Sequence, residues 1–147
     1  MCFCKSKESK ILIAKRDIKV YKIGTYATED IFKPFFRDEF KYHVNQLVSE
    51  TVVFKSTIER GLHSYLNCTV SPAGLDSMDI YTLGCFQYRL CSSLHTIFLG
   101  KFIIPRGATY CLNRVGEVVS DSLVYTGNYV KVWSDKKYDT KELWKEN

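Results

Sequence analysis

Residues 97–133 read IFLGKFIIPRGATYCLNRVGEVVSDSLVYTGNYVKVW, and no other stretch is so dense in strand and turn signals. An apolar run ends at Pro105-Arg106-Gly107. A second short run follows, and Gly116-Glu117 leads into a third. β-Branched and aromatic residues between Gly and Pro punctuation predict strands at 97–104, 108–112 and 118–125. Gly127-Asn128 separates Leu123-Val124-Tyr125 from Tyr129-Val130-Lys131-Val132-Trp133. That is the pattern of a two-residue hairpin whose turn needs positive φ.

Upstream, Ile18–Ile23 is rich in β-branched residues and reads as a strand ended by Gly24. Residues 25–39 mix aromatics with charges around Pro34, which makes Lys33 extended and suggests a loop or edge. Phe40, Tyr42 and Val44 alternate, predicting a half-buried strand with His43 on its other face. Thr51–Phe54 suggests a further short strand. In Gly61–Leu66 a strand would turn Leu62, Ser64 and Leu66 one way and His63 and Tyr65 the other. Ser71-Pro72-Ala73-Gly74 is a turn.

One segment has helical spacing. Ile80, Leu83, Gln87, Leu90, Cys91 and Leu94 recur every three or four residues, as on one face of a helix. Asp76 and Asp79 suit its N-terminal end. Gly84 within it costs about 1 kcal/mol relative to Ala. The expected fold class is therefore α+β: a single domain with a mainly antiparallel sheet and one main helix, 76–94, packed on it. Its divisions are a basic N-terminal leader at 1–16, the domain at 17–133 and a polar C-terminal tail at 134–147.

The chain has 147 residues, 46% hydrophobic and 14% aromatic, with ten Tyr and nine Phe. That is enough apolar area for one core. Three Pro and eight Gly argue against disorder. The net charge of +5 is concentrated. Residues 1–22 carry Lys5, Lys7, Lys10, Lys15, Arg16, Lys19 and Lys22 against Glu8 and Asp17, which accounts for the whole excess. Such an arm can meet phosphates or anionic lipid. It lacks the clustered Arg and interleaved aromatics of a dedicated nucleic-acid groove, so residues 5–22 imply weak nucleic-acid contact at most.

Six cysteines, Cys2, Cys4, Cys68, Cys85, Cys91 and Cys111, contain no CxxC pair, so no metal site is expected. Nothing at the start of the chain resembles a secretory signal, and no apolar run approaches a membrane span. Free thiols in a bacterial host cytosol are the corresponding expectation.

No phosphate loop, dinucleotide fingerprint or nucleophile elbow is present. The most suggestive cluster is His63-Ser64-Tyr65 after Gly61. Neighbouring strand residues point to opposite faces, so His63 and Ser64 cannot act directly as base and nucleophile. Either a cleft at the strand end uses them, or they are a buried, hydrogen-bonded His and a strand Ser. Glu117 after Gly116 is either a carboxylate at a cleft rim or a solvated turn residue, and Asp121 shares the second reading. Cys85, Cys91 and Cys111 lie among apolar residues, where Cys behaves as a small hydrophobe.

The order of four blocks, Val20-Tyr21-Lys22, Gly61–Tyr65, Ile103–Tyr110 and Gly116–Leu123, resembles small uncharacterised proteins of gut Bacteroidetes and their phages. The resemblance covers roughly residues 17–125 and implies a mobile-element setting without a specified activity. The chain also resembles, more weakly, the ADP-ribosyltransferase fold. Tyr21-Lys22, His63-Ser64-Tyr65, the 76–94 segment, Pro105-Arg106-Gly107 and Glu117 fall in that family's order. This resemblance implies NAD lying against His63, Ser64 and Tyr65, with Tyr21 and Lys22 beside it. Glu117 would stabilise an oxocarbenium ion. Lys22 stands where the family has Arg or His, the Ser-Thr-Ser motif is absent, and Glu117 has no paired Glu.

Three functions follow from these readings. The leading one is a non-catalytic phage- or mobile-element accessory module that binds a protein or small ligand and needs no cofactor. The others are an NAD-dependent transferase and a virion structural component.

Overall fold

The computed structural model describes residues 3–4, 10–34, 40–52, 57–58, 61–66, 69–71, 74–75, 96–112, 117–133 and 138–139. Their regular elements are β1 (Phe3–Cys4), β2 (Ile11–Ile13), β3 (Ile18–Ala27), β4 (Ile31–Pro34), β5 (Tyr42–His43), β6 (Leu47–Ser49), β7 (Thr57–Ile58) and β8 (Leu62–Tyr65). They continue with β9 (Thr69–Ser71), β10 (Gly74–Leu75), β11 (Thr96–Ile104), β12 (Thr109–Leu112), β13 (Glu117–Ser120), β14 (Ser122–Trp133) and β15 (Tyr138–Asp139).

These elements overturn the α+β expectation. Among the described residues every element is a strand and the ladders are antiparallel, so the fold is a sheet fold without a helical layer. The expected helix at 76–94 lies outside the described residues. The segment that the transferase resemblance counts as its helix is the same one.

Ten strands form the main sheet, in the order β2-β12-β13-β8-β3-β11-β14-β6, with β4 on β3 and β5 on β4. The long central ribbon is β3-β11-β14. β11 pairs with β3 from Phe98↔Gly24 to Ile104↔Ile18. Its other edge pairs with β14 from Thr96↔Trp133 to Ile103↔Val124. β4 folds back on the end of β3 through Ala27↔Phe32, and β5 pairs with β4 through Phe32↔Tyr42. Val44 then bridges to Tyr125 of β14. The path β3-β4-β5-β14-β11 therefore closes on itself as a small five-stranded barrel.

Aromatic rings fill that barrel. Phe32, Phe102 and Tyr125 are fully buried and Tyr42 nearly so. Phe32 and Tyr42 each lie 5.0 Å, edge to face, from Phe102, and Tyr125 lies 5.4 Å from Phe32. Such pairs add about 0.5–1.5 kcal/mol each beyond the area they bury. Phe32 and Pro34, read from sequence as loop or edge, thus belong to an interior strand. The segment alternates, with Phe32 and Pro34 buried and Ile31 and Lys33 half-buried.

Two glycines make room for Phe32. A Cβ on Gly100 would sit 2.5 Å from its Cε2, and one on Gly24 would sit 2.6 Å from its Cζ. Real side chains do not approach so closely. Gly24 does not end β3, as the sequence suggested. It lets the strand run on to Ala27 beneath the ring. Register shifts fall at the same places, between Gly24 and Tyr26 and between Gly100 and Phe102. Bulges of this kind sharpen local twist, which is how the sheet curls tightly enough to close.

The expected hairpin at Gly127-Asn128 is also replaced. β14 runs straight through it and pairs with β11 on both sides, Gly100↔Tyr129 and Phe102↔Tyr125. Gly127, at φ 86°, serves a bulge rather than a reversal. Thr126 Oγ1 fills the gap by donating to the Lys101 carbonyl at 2.6 Å and accepting from Asn128 N–H at 3.3 Å.

A second bend carries the sheet away from the barrel. The corners between β2 and β3 and between β11 and β12 lie side by side. Ala14 N–H donates to the Ala108 carbonyl and Gly107 N–H to the Ala14 carbonyl, both at 2.8 Å. Arg106 N–H is capped by Asp17 Oδ1 at 2.9 Å. Beyond this corner β12, β13 and β8 lead back to β3 at Tyr21↔Tyr65. Two smaller sheets, β1-β7 and β10-β9-β15, complete the described elements.

Three outcomes test this account. Gly100→Ala should lose about 1–3 kcal/mol of unfolding free energy by overpacking. Paired with Phe32→Leu, it should lose less than the sum of the single changes, as expected for groups in contact. Chemical denaturation measures both. Tyr125 supplies the third. Its hydroxyl donates to the Thr28 carbonyl at 2.7 Å. Burial, aided by Tyr129 and Glu29, raises its pKa well above the ordinary value. The unfolded chain releases this proton near the ordinary pKa of about 10 while the folded chain keeps it. This contribution is therefore fully present below about pH 10 and is lost as pH rises beyond it. The melting temperature of wild type should fall above that pH more steeply than that of Tyr125→Phe.

Candidate functional site

The sheet order sets three consecutive strands, β13, β8 and β3, side by side. All six residues singled out from sequence lie on them: Glu117 on β13, His63, Ser64 and Tyr65 on β8, and Tyr21 and Lys22 on β3. Glu117 is directly opposite Tyr65, and Tyr65 directly opposite Tyr21. Residues in register share a face. Glu117, Tyr65 and Tyr21 therefore form a row across three strands.

The other members divide by strand alternation. His63, opposite Val119, shares the face of that row, and Cys111, opposite Val119 on β12, joins it. Ser64, opposite Val118, points the other way, with Leu62 and the main core. Lys22 follows Tyr21 and also takes the opposite face. No single pocket can therefore be lined by all six side chains.

Burial sets the chemistry. Glu117 and Ser64 are 0% exposed and Tyr65 is 4% exposed. The Tyr65 hydroxyl donates to Glu117 Oε2 at 3.4 Å, a long bond in a buried place. Lys22 Nζ reaches the His63 carbonyl at 2.5 Å and lies 5.5 Å from the centre of the Tyr42 ring. Its ammonium thus ties β3 to β8 and partly satisfies itself by a cation–π contact, so Lys22 stands apart from the exposed Lys10, Lys15, Arg16 and Lys19. Ser64 Oγ is buried and accepts or donates no hydrogen bond among the described residues. Ser120, the neighbouring buried hydroxyl, donates to the Ser122 carbonyl at 3.0 Å.

This arrangement is a polar seam inside a β-sheet. Glu117 is neither at a cleft rim nor in a solvated turn. It is a strand residue paired with a tyrosine. Among the described residues no three His, Cys, Asp or Glu side chains gather as a metal-binding group, and no helix is long and apolar enough to cross a membrane.

Two further features escaped the sequence reading. An open cleft of about 500 Å³ is lined by Ser49, Glu50, Thr51, Val52, Asp121 and Ser122, with Thr109 at its side. Asp121 Oδ1 there accepts Thr109 N–H at 3.1 Å, so the carboxylate holds the β13–β14 corner to β12. The other feature is an apolar edge. All three residues of β2 are exposed: Ile11 at 49%, Leu12 at 40% and Ile13 at 66%. β2 ends the strand order, pairing with β12 alone among the described residues. The signal for it was present in the run Ile11-Leu12-Ile13 between Lys10 and Lys15-Arg16. A run of three apolar residues does not by itself say whether it faces core or solvent.

Replacing Glu117 tests the seam. Glu117→Gln keeps a carbonyl oxygen for the Tyr65 hydroxyl and should leave the fold intact. Glu117→Leu removes that acceptor and should cost about 1–3 kcal/mol more by leaving a buried hydroxyl without it. Urea titration of the two variants makes the comparison. Compared with family models, with curated proteins and with solved structures, the chain matches none.

Proposed function

We propose that the protein is a non-catalytic binding module for a protein partner, presenting the β2 edge as its contact surface. The observation that carries this reading is the contrast between two sites. The one carboxylate suited to transferase chemistry, Glu117, is fully buried against Tyr65. The contiguous apolar residues Ile11, Leu12 and Ile13 stand in solvent. A catalytic group has to touch its substrate. An exposed apolar patch rimmed by charge is the ordinary mark of an interaction site. Lys10, Lys15 and Arg16, all exposed, supply that rim. The resemblance of the four sequence blocks to small phage and Bacteroidetes proteins supports an accessory role in a mobile-element setting. No cofactor is required for this reading.

The test pairs a surface change with an activity assay. Immobilised wild-type protein should retain a defined partner from host extract. The triple variant Ile11→Ser, Leu12→Ser, Ile13→Ser should lose it while melting within a few degrees of wild type. Its exposed positions contribute little to the core, and surface changes shift stability by about 0.5 kcal/mol or less. NAD turnover by wild type that disappears in Glu117→Gln would overturn the reading.

A further inference from the structure

The inference drawn here rests on the binding-module reading and names the chemistry of its partner. We propose that β2 is an acceptor edge for β-strand addition. It takes an extended peptide segment that carries acidic residues on both sides of an alternating apolar stretch.

The backbone supplies the first argument. Ala14 directs both its N–H and its C=O at β12, bonding the Ala108 carbonyl and Gly107 N–H. In an antiparallel ladder the direction alternates with each residue. Leu12, opposite Tyr110, therefore also faces β12, and the N–H and C=O groups of Ile11 and Ile13 point outward. No strand lies on that side among the described residues. Four backbone groups in strand geometry, held from behind by a paired neighbour, form a template for one more strand.

The side chains supply the second. Ile11 and Ile13 are exposed on one face of the strand and Leu12 on the other. An added strand would gain apolar neighbours on both faces, which is where the specificity of strand addition arises.

Charge selects the occupant. Lys10 precedes the strand, Lys15 and Arg16 follow it, and Arg106 is exposed on the adjoining corner. Among the described residues the carboxylate beside this group is Asp17, whose Oδ1 accepts Arg106 N–H. A second copy of this chain, paired antiparallel about Leu12, would set Lys10 opposite Ala14 and Lys15 opposite Ser9, so that only Arg16 would meet a carboxylate, Glu8; opposite charges across a pair stabilise it, and a strand acidic on both sides supplies more of them. An anionic membrane would satisfy the cations. It would leave the outward N–H and C=O groups of Ile11 and Ile13 without a strand to pair with. A peptide strand with acidic flanks satisfies both the backbone and the charges.

The probe is a fluorescein-labelled peptide, Glu-Glu-Val-Thr-Val-Thr-Val-Glu-Glu, followed by fluorescence anisotropy with the full chain. The expected result is saturable binding that weakens with salt. Affinity should drop at least about tenfold when the flanking Glu are changed to Lys, and equally when the central Val of the peptide is N-methylated. Ile13→Pro should give the same loss. It removes one outward N–H at an edge position that tolerates proline, and circular dichroism checks that its fold is kept. Should Ile13→Pro fail to fold, the N-methylated peptide carries the same test on the wild-type protein. Lys15→Glu with Arg16→Glu should reverse the preference between the Glu- and Lys-flanked peptides.

Absence of saturable binding overturns the proposal, as does equal affinity for the N-methylated or the Lys-flanked peptide. Self-association that Ile13→Pro dissolves, without peptide binding, would assign the edge to a second copy. Sedimentation with phosphatidylserine vesicles, lost in the triple serine variant and unaffected by Ile13→Pro, would assign it to a membrane; either overturns the proposal. If the triple serine variant loses the retained partner while Ile13→Pro and N-methylation change nothing, strand addition fails and the binding-module reading stands.

Discussion

Closure of the barrel depends on one contact, the seating of the Phe32 ring over the bare backbones of Gly24 and Gly100. The two glycines lie on adjacent strands, two residues off direct register and therefore on one face. Together they leave a shallow floor on which β4 can approach β3 and β11 while Phe32 remains fully buried. With β4 in place, β5 follows on it, Val44 reaches Tyr125, and the ring of five strands is complete. A larger residue at either glycine would lift Phe32 away from Phe102 and Tyr125. The aromatic plug and the closure therefore stand or fall together.

The barrel leaves the other half of the sheet with a different task. Strand β13 is buried along its whole length, on both faces, and yet contains Glu117 and Ser120. β8 beside it adds Ser64. Burying such groups costs free energy unless they find partners. Tyr65 reaches Glu117, Ser120 bonds the Ser122 carbonyl, and Lys22 bonds the His63 carbonyl across to β3. Two of these bonds join neighbouring strands, β13 to β8 and β8 to β3, so the seam fixes register where flat apolar pairing would specify it weakly. These polar residues thus tie strands together, while three of the five large apolar side chains exposed among the described residues, Ile11, Leu12 and Ile13, lie on β2.

Much of the strand content was legible because strand formation follows from short-range pattern. Alternation around Tyr42 and His43, the β-branched run at Ile18–Ile23 and the apolar runs near Ile104 and Cys111 all produced strands, within a residue or a few of the expected bounds. Two readings failed for one reason. From sequence Gly24 reads as a stop and Gly127-Asn128 as a reversal, because glycine marks a backbone freedom without saying how it is used. A strand end, a hairpin and a bulge share that local signal. The neighbour across the ladder chooses among them, and β11 is that neighbour in both cases. The helical spacing of Ile80 to Leu94 lies outside the described residues, and the elements that are described are all strands. For the candidate site, the grouping of His63, Ser64, Tyr65, Glu117, Tyr21 and Lys22 on adjoining strands could not be read from positions nearly a hundred residues apart.

By itself, the sequence determined that the chain has enough aromatic and β-branched residues for one core, where its longest strands run, and that its positive charge gathers before residue 23. These are properties of composition and near neighbours, which act within a few residues. Only the tertiary structure decided which glycines support Phe32, which face Glu117 takes, and which apolar run remains in water. Each of those depends on strand order and register, and these are set by contacts between segments distant in the chain.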